Sequence, residues 1–183
     1  MNPSAPIRPP IKEREIKPWT EVLSDGTPVE VRTTKPMDAG AERAFIESLS
    51  PEMRRFRFLG QLRHPSSTLS RQFDIDYSHE MTLGAFSPVD GKEVLLGISS
   101  YSSTSDGSSC ECQLSVLGAW HHKGLGTALM KHLIEVARRR GILYMFAIGS
   151  TENTDMAELA QRLGFTRKVD PQDPSQAMYS LWT

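Results

Sequence analysis

The alternation of hydrophobic and polar positions predicts β-strands along much of the chain. Residues 29–33 alternate after the turn Asp25-Gly26 and predict the first strand. Three further strands are predicted, over residues 81–86, 93–101 and 109–117. The breaks between these three contain Asp90-Gly91 and a serine-rich stretch through Asp106-Gly107. Short, turn-rich breaks of this kind favour an antiparallel meander.

Apolar positions spaced three and four residues apart predict helices between the strands. The predicted helices cover residues 38–49, 124–140 and 153–163. The second should end at Gly141 and the third at Gly164, because glycine commonly follows the last helical turn. Ser50 and Pro51 together indicate the start of a further short helix, running toward Phe58.

Three late apolar runs complete the predicted sheet. They cover residues 143–148, 165–169 and 177–182. The order of elements predicts a mixed α/β (α+β) fold, in which helices flank a central sheet that is mostly antiparallel.

The length of 183 residues suits one domain with one buried core. Residues 1–20 combine prolines with alternating charges, a composition typical of a flexible arm. We expect this arm to precede a single domain over residues 21–183, with Trp19 as a candidate for docking it.

Net charge and cysteine content restrict the partners and the compartment. The formal net charge is -1, which gives no strong field toward nucleic acid or an anionic membrane. No apolar run approaches the roughly 20 residues that span a bilayer, and the N-terminus resembles no signal peptide, so we expect a cytoplasmic protein. Cys110 and Cys112 flank a glutamate in a predicted strand, so both thiols face one side and a disulfide between them is disfavoured. Two thiols also fall short of a structural zinc site, and no metal is predicted.

Candidate chemistry centres on a glycine turn, His121-His122-Lys123-Gly124-Leu125-Gly126-Thr127. Its two glycines follow a strand and open a helix, so that backbone N–H groups can face an anion that no Cβ atom obstructs. The helix N-terminus adds partial positive charge, and Lys123, His121 and His122 can add side-chain donors. The alternative is a tight strand-to-helix connection without a ligand. The spacing fits neither a dinucleotide-binding fold nor a P-loop.

Around this turn, residues 111–165 resemble the core of the GNAT superfamily of N-acetyltransferases. The family signature, Gln or Arg-x-x-Gly-x-Gly or Ala, is matched at both glycines, whereas His121 replaces the leading Gln or Arg. Asn153, Met156 and then Leu163-Gly164-Phe165 match the family's next helix and the turn after it. The resemblance implies that the anion is the pyrophosphate of acetyl-CoA, bound between splayed strands.

Segments further upstream are similar to the acetyltransferase domain of bacterial protein-lysine acetyltransferases. They are residues 49–58, Asp76-Tyr77, Glu80-Met81 and the run from Glu111 to Trp120. This closer resemblance implies a protein lysine as the acetyl acceptor. Asp74, Asp76 and Glu80 are acidic residues suited to receive such a cation.

The resemblance also implies roles for single residues. Glu111 becomes the general base, acting directly or through water; strand alternation places it with Gln113 on a polar face, where a solvated or ion-paired glutamate is the alternative. The backbone near Val116 and Leu117 would polarise the acetyl carbonyl and hold the pantetheine arm. Asn153 would contact the cofactor or orient a water, or else cap its helix.

The sequence leaves three functions open. They are acetylation of protein lysines, acetylation of a small amine such as a polyamine or aminoglycoside, and acetyl-CoA sensing without catalysis. Ala160 stands where many GNAT enzymes have a tyrosine that acts as the acid for the leaving thiolate, which adds some weight to the sensor. The sequence does not fix the oligomeric state, for which a dimer is one option.

Overall fold

The structure is a computed structural model that describes residues 16–51, Met53 and residues 79–183. The short helix predicted toward Phe58, the acidic residues Asp74 and Asp76, and the first fifteen residues of the predicted arm lie outside the described residues. Ser50 Oγ accepts a hydrogen bond of 3.2 Å from the Met53 N–H, which is the contact expected of the predicted helix start.

Eight strands form one sheet in the order β1-β2-β3-β4-β5-β6-β8-β7. The strands are β1 (Trp19–Val22), β2 (Pro28–Thr33), β3 (Glu80–Val89), β4 (Lys92–Ser103), β5 (Ser109–Val116), β6 (Tyr144–Ser150), β7 (Thr166–Val169) and β8 (Gln176–Trp182). Neighbouring strands are antiparallel except β5 and β6, which are parallel. The predicted mixed fold with a mostly antiparallel sheet and its central meander are therefore confirmed.

The first strand of the sheet is β1, and the expectation that residues 29–33 would be first is wrong. Along Trp19–Val22 half-buried and exposed positions alternate. The strand therefore has no run of buried apolar residues from which the sequence could predict it. Trp19 stacks on the His132 ring with 4.3 Å between the ring centroids. Trp19 therefore holds this edge of the sheet against the core, and His132 is a packed side chain.

Three α-helices lie wholly within the described residues: α1 (Ala39–Ser48), α2 (Leu125–Arg139) and α3 (Thr154–Arg162). The apolar sides of α2 and α3 pack on one face of the sheet, where they form the larger hydrophobic cluster. On the opposite face, Phe45 and Leu49 pack against Phe86, Leu95 and Ile98. The sheet is thus buried between α1 on one side and the other two helices on the other.

Parallel strands β5 and β6 separate within the sheet. Their pairing covers only Ser109–Glu111 with Tyr144–Phe146, although β5 runs on to Val116 and β6 to Ser150. On its other side β5 stays paired to β4 as far as Val116. The two strands therefore leave a cleft that begins directly after Glu111, which confirms the predicted splay.

Candidate active site

The glycine turn connects a 3-10 turn at Gly118–Trp120 to the start of α2. Gly124 is the N-cap residue and has φ 88° and ψ -3°, a left-handed conformation that disfavours any residue with a Cβ atom. A Cβ built on Gly124 would meet no atom within 4 Å, so open space lies above it. The turn therefore leaves room for a ligand at the N-terminus of a helix of 15 residues.

Gly126 serves a different purpose in the same turn. A Cβ at this position would lie 3.2 Å from Leu114 Cδ2 and 3.4 Å from Leu159 Cδ2. The lack of a side chain lets α2 approach both β5 and α3 closely. Leu125, between the two glycines, is fully buried and anchors the helix start in the core. Glycine is thus required at Gly124 for its backbone conformation and at Gly126 for close packing of the helix.

Lys123 holds the turn to the β1–β2 connection. Its Nζ lies 2.9 Å from Asp25 Oδ2 and 4.4 Å from the centroid of the Trp120 ring. Hydrogen bonds from Thr27 and from Lys123 lower the pKa of Asp25 to about 2. Lys123 O also accepts a hydrogen bond from Ser24 N. A phosphate that recruits Lys123 must therefore share it with Asp25, a residue that sequence reasoning did not single out.

His121 and His122 both approach Asp155, in the first turn of α3. Asp155 Oδ2 is 3.8 Å from His121 Nδ1 and 3.5 Å from His122 Nε2. His121 Nε2 lies 3.0 Å from the carbonyl oxygen of Val116, which can only accept, so this nitrogen donates. The two histidines thus link the glycine turn to α3 and to the end of β5. Asp155 was missed because nothing in its local sequence separates it from an ordinary acidic residue in a first helical turn.

Glu111 lies at the point where the cleft opens. It is half-buried and is the last residue of β5 that pairs with β6. Strand alternation places its side chain on the α1 face of the sheet, opposite the buried Cys110 and Cys112. Burial raises the pKa of the Cys110 thiol to about 12, and burial is also the main reason why the pKa of Cys112 is raised. Neither thiol is therefore poised as a nucleophile, whereas Glu111 brings a carboxylate to the point where the two strands separate.

The strand registers place Glu111 in a row of neighbours that crosses the sheet. The row runs Glu80, Ser102, Glu111, Phe146 and Ser180. Glu80 is two strand spacings from Glu111, roughly 10 Å between Cα atoms. Ser102, between them, is small and exposed.

The backbone N–H and C=O groups of Val116 and Leu117 differ in whether they are free to bind a ligand in the cleft. Leu117 N–H donates to Leu96 O at 2.9 Å, and Leu117 O accepts from Trp120 N at 2.8 Å. Both backbone groups of Leu117 are therefore engaged, and its side chain packs against the cluster under α1. Backbone alternation directs the N–H and C=O of Val116 the other way, toward the cleft.

Asn153 is the N-cap residue of α3, and its Oδ1 accepts a hydrogen bond of 3.0 Å from Met156 N. The structure therefore shows the capping alternative for this side chain. Ala160, seven residues and about two helical turns after Asn153, is only 3% exposed. It lines a small apolar cavity with Cys112, Met130 and Met156, so it brings no polar group to the cleft.

Metal binding and membrane spanning find no support in the described part of the chain. Within residues 16–51, Met53 and 79–183, no group of three or more His, Cys, Asp or Glu side chains could hold a metal ion. In the same residues no helix combines the length and the apolar character needed to cross a bilayer.

Comparison with known proteins places this geometry in a family. The model of the acetyltransferase (GNAT) family matches residues 43–165. The chain is 39% identical over 164 residues to acetyltransferase PA5475 of Pseudomonas aeruginosa, covering 89% of this chain and 88% of the relative. Among solved structures, the GNAT domain of S. lividans PAT matches with a TM-score of 0.76 at 23% identity, over 91% of this chain and 97% of that chain. YncA from Salmonella typhimurium, solved with its cofactor acetyl-CoA, matches with a TM-score of 0.60 at 20% identity, over 84% of this chain and 93% of that chain.

Proposed function

The chain belongs to the GNAT family of acetyltransferases, enzymes that use acetyl-CoA, and we propose that it acetylates the side-chain amine of lysine residues in other proteins. One observation carries the proposal: the pairing of β5 with β6 stops at Glu111, so that a carboxylate stands where the cleft for the thioester begins.

The glycine turn suits the pyrophosphate of acetyl-CoA. The space above Gly124 is open, and the α2 N-terminus behind it carries partial positive charge. In this proposal Thr127 and the two histidines line the pyrophosphate site, and Lys123 shares its charge between Asp25 and the phosphates. The pantetheine arm then pairs with the cleft side of β5 at Val116, where it displaces the His121 ring from the carbonyl oxygen. Leu117 supports this site through packing.

The proposed role of Glu111 follows from the chemistry of the acceptor. A lysine amine with a pKa near 10.4 is protonated at neutral pH, and removing its proton costs about 4–5 kcal/mol. Glu111 accepts that proton, directly or through a water, while the neutral nitrogen attacks the thioester carbonyl carbon. Where water carries the proton to Glu111, the N–H of Val116 supplies a donor for the carbonyl oxygen as it gains charge; it faces the cleft five residues, roughly 16 Å, further along β5.

The α1 face around Glu111 favours a long cationic acceptor. Glu80 and Glu111 offer two carboxylates in one row, separated by the small Ser102. Beyond Glu111 lie the rings of Phe146, Tyr144 and Trp182, with centroids 6.1 Å apart for Tyr144 and Phe146 and 4.9 Å apart for Tyr144 and Trp182. Carboxylates attract an ammonium group, and aromatic rings accept both a cation and an aliphatic stem. The two buried free thiols are compatible with a reducing compartment, so the proposal keeps the cytoplasmic location.

A panel of acceptors tests the proposed function. Purified protein and acetyl-CoA are incubated with lysine-containing peptides, with cell-extract proteins, with a polyamine and with an aminoglycoside, and CoA release and acceptor mass are measured. We expect turnover on protein and peptide lysines and its loss in Glu111→Gln. The half-buried Glu135 on α2, which pairs with Arg139, provides Glu135→Gln as a control with the same change of charge remote from the cleft.

The other outcomes each point to a different function. Turnover confined to the polyamine or the aminoglycoside would replace the protein acceptor with a small amine. Tight acetyl-CoA binding without turnover on any acceptor would show a sensor, for which the engaged Asn153 and the apolar surroundings of Ala160 are the structural arguments.

A further inference from the structure

The His121 ring occupies a backbone acceptor at the border of the cleft. Its Nε2 atom donates to the carbonyl oxygen of Val116 over 3.0 Å. The next residue, Leu117, bonds through its N–H to Leu96 O on β4, so strand alternation turns the Val116 carbonyl away from β4 and toward the cleft. In the free protein, therefore, a side chain of the chain itself fills the hydrogen-bonding position that the pantetheine arm takes in the proposed function.

The ring is held loosely at this position. The side chain of His121 is 34% exposed, so water competes for its hydrogen bond. Asp155 Oδ2 lies 3.8 Å from His121 Nδ1, which is too far for a hydrogen bond and does not fix the ring. The net contribution of a single neutral hydrogen bond shifts an equilibrium by about fivefold. A stronger acceptor nearby can therefore take the ring away from Val116.

A bound pyrophosphate is such an acceptor. His121 lies three residues before Gly124, above which the space is open at the N-terminus of α2. The backbone N–H of His121 donates to Gly118 O at 3.2 Å, so the side chain is the donor that this residue can offer to an anion. A hydrogen bond to a charged phosphate oxygen is about twice as strong as one to a neutral carbonyl. An anion in the glycine turn therefore draws the ring off the Val116 carbonyl.

We propose that His121 gates the site of the pantetheine arm and thereby makes the protein select acetyl-CoA over acetyl thioesters that lack phosphates. This inference rests on the placement of the arm at Val116 in the proposed function. When the pyrophosphate binds, the Nε2 donor turns to a phosphate oxygen, and the released Val116 carbonyl accepts an N–H of the arm. A thioester without phosphates must break the contact between His121 and Val116 with no such compensation.

The neighbouring histidine provides a matched control. His122 also approaches Asp155, with its Nε2 atom 3.5 Å from Oδ2, but its side chain is 73% exposed. Its φ of 58° lies in the left-handed region, which asparagine tolerates better than most residues. His122→Asn therefore removes an imidazole from the same turn and leaves the contact between His121 and Val116 in place.

The first test measures the affinity for acetyl-pantetheine, which has the thioester arm without phosphates, by NMR titration. We expect His121→Ala to bind it about fivefold more tightly than wild type, because no ring has to be displaced. The same variant should bind acetyl-CoA no more tightly than wild type, because it has lost a phosphate contact. His122→Asn should bind acetyl-pantetheine as wild type does. Equal affinities of wild type and His121→Ala for acetyl-pantetheine overturn the proposal, and so does a failure of His121→Ala to bind it at millimolar concentrations.

The second test asks whether phosphate opens the gate. Adenosine 3′,5′-bisphosphate supplies the nucleotide and one phosphate of the pyrophosphate without the arm. At saturation it should tighten the binding of acetyl-pantetheine to wild type by about fivefold, and this coupling should vanish in His121→Ala. Independent binding of the two ligands to wild type, or equal coupling in both proteins, overturns the proposal. Neither test needs an acceptor, so an absence of turnover in the acceptor panel with this coupling intact would contradict lysine acetylation alone.

Discussion

Substitutions of Gly124 test two properties of the glycine turn separately: its left-handed backbone conformation, which affects stability, and the open space above it, which affects affinity for acetyl-CoA. Gly124→Gln and Gly124→Glu both place a side chain at φ 88°, where an L-residue costs about 1–2 kcal/mol. For a protein of this size that cost lowers Tm by about 2–8 °C. The Cβ atom itself meets no neighbour within 4 Å, so no steric cost is added in the free protein. A carboxylate at a helix N-terminus is, if anything, favoured, so the glutamate variant should be no less stable than the glutamine variant.

Affinity for acetyl-CoA should show the opposite order. A carboxylate about 5 Å from each of two phosphate charges is repelled by about 1.7 kcal/mol in total even at the dielectric constant of water. That energy is more than a tenfold difference in Kd between two side chains of nearly equal size. Both variants lose affinity because they fill the open space, and Gly124→Glu loses this further factor.

Calorimetric titration of both variants with acetyl-CoA at low salt and at 0.15 M salt measures the difference. At the higher salt the Debye length is about 8 Å, so we expect the gap between the variants to shrink by about half in free energy. Equal affinities of the glutamine and glutamate variants at low salt would refute the placement of the pyrophosphate above Gly124. Thermal denaturation of both proteins shows whether each is folded.

Three other substitutions or treatments test neighbouring parts of the structure. Asn153→Ala should lose about 1 kcal/mol of stability with the cap to Met156, while Asn153→Ser keeps a cap; an acetyl-CoA affinity lower in both would add a cofactor contact to Asn153. Burial raises the pKa of Asp38, but hydrogen bonds from Arg32 and the Lys35 amide outweigh it, so the net pKa is lowered and its stabilisation should be present above about pH 4 and decline below it. Urea denaturation across pH should therefore show a smaller acid loss for Asp38→Asn than for wild type, and an equal loss would contradict the role of this ion pair. Cys110 and Cys112 should resist iodoacetamide in the folded protein and react on unfolding, because both thiols are buried. Rapid labelling of either thiol in native buffer, detected by mass spectrometry, would contradict their burial.

Elements with a strong hydrophobic period were predictable from sequence. The helix from Leu125 to Arg139 buries seven residues on one side, and the three strands of the meander each contain a run that sequence reasoning identified. The edge strand β1 was not predicted, because its stability comes from pairing to β2 and from the stacking of Trp19 on His132, 113 residues away in the chain. Long-range contacts of this kind leave no local pattern.

The site shows the same division between local and long-range information. Gly124 and the strand alternation that orients Glu111 are local properties, and both were predicted. The hydrogen bond from Leu117 N–H to Leu96 O depends on the β4–β5 register. The ion pair between Lys123 and Asp25 depends on the β1–β2 connection at the far edge of the sheet.

The most direct test of the central claim is the pH dependence of acetyl transfer to a lysine peptide by wild type and Glu111→Gln. If Glu111 removes the proton of the amine at the mouth of the cleft, the variant should lose about 10²–10⁴-fold in kcat/KM at pH 7 and recover progressively as the pH approaches 10, where the amine deprotonates by itself. A variant whose kcat/KM at pH 7 equals that of wild type, or whose deficit is the same at every pH, would contradict the account.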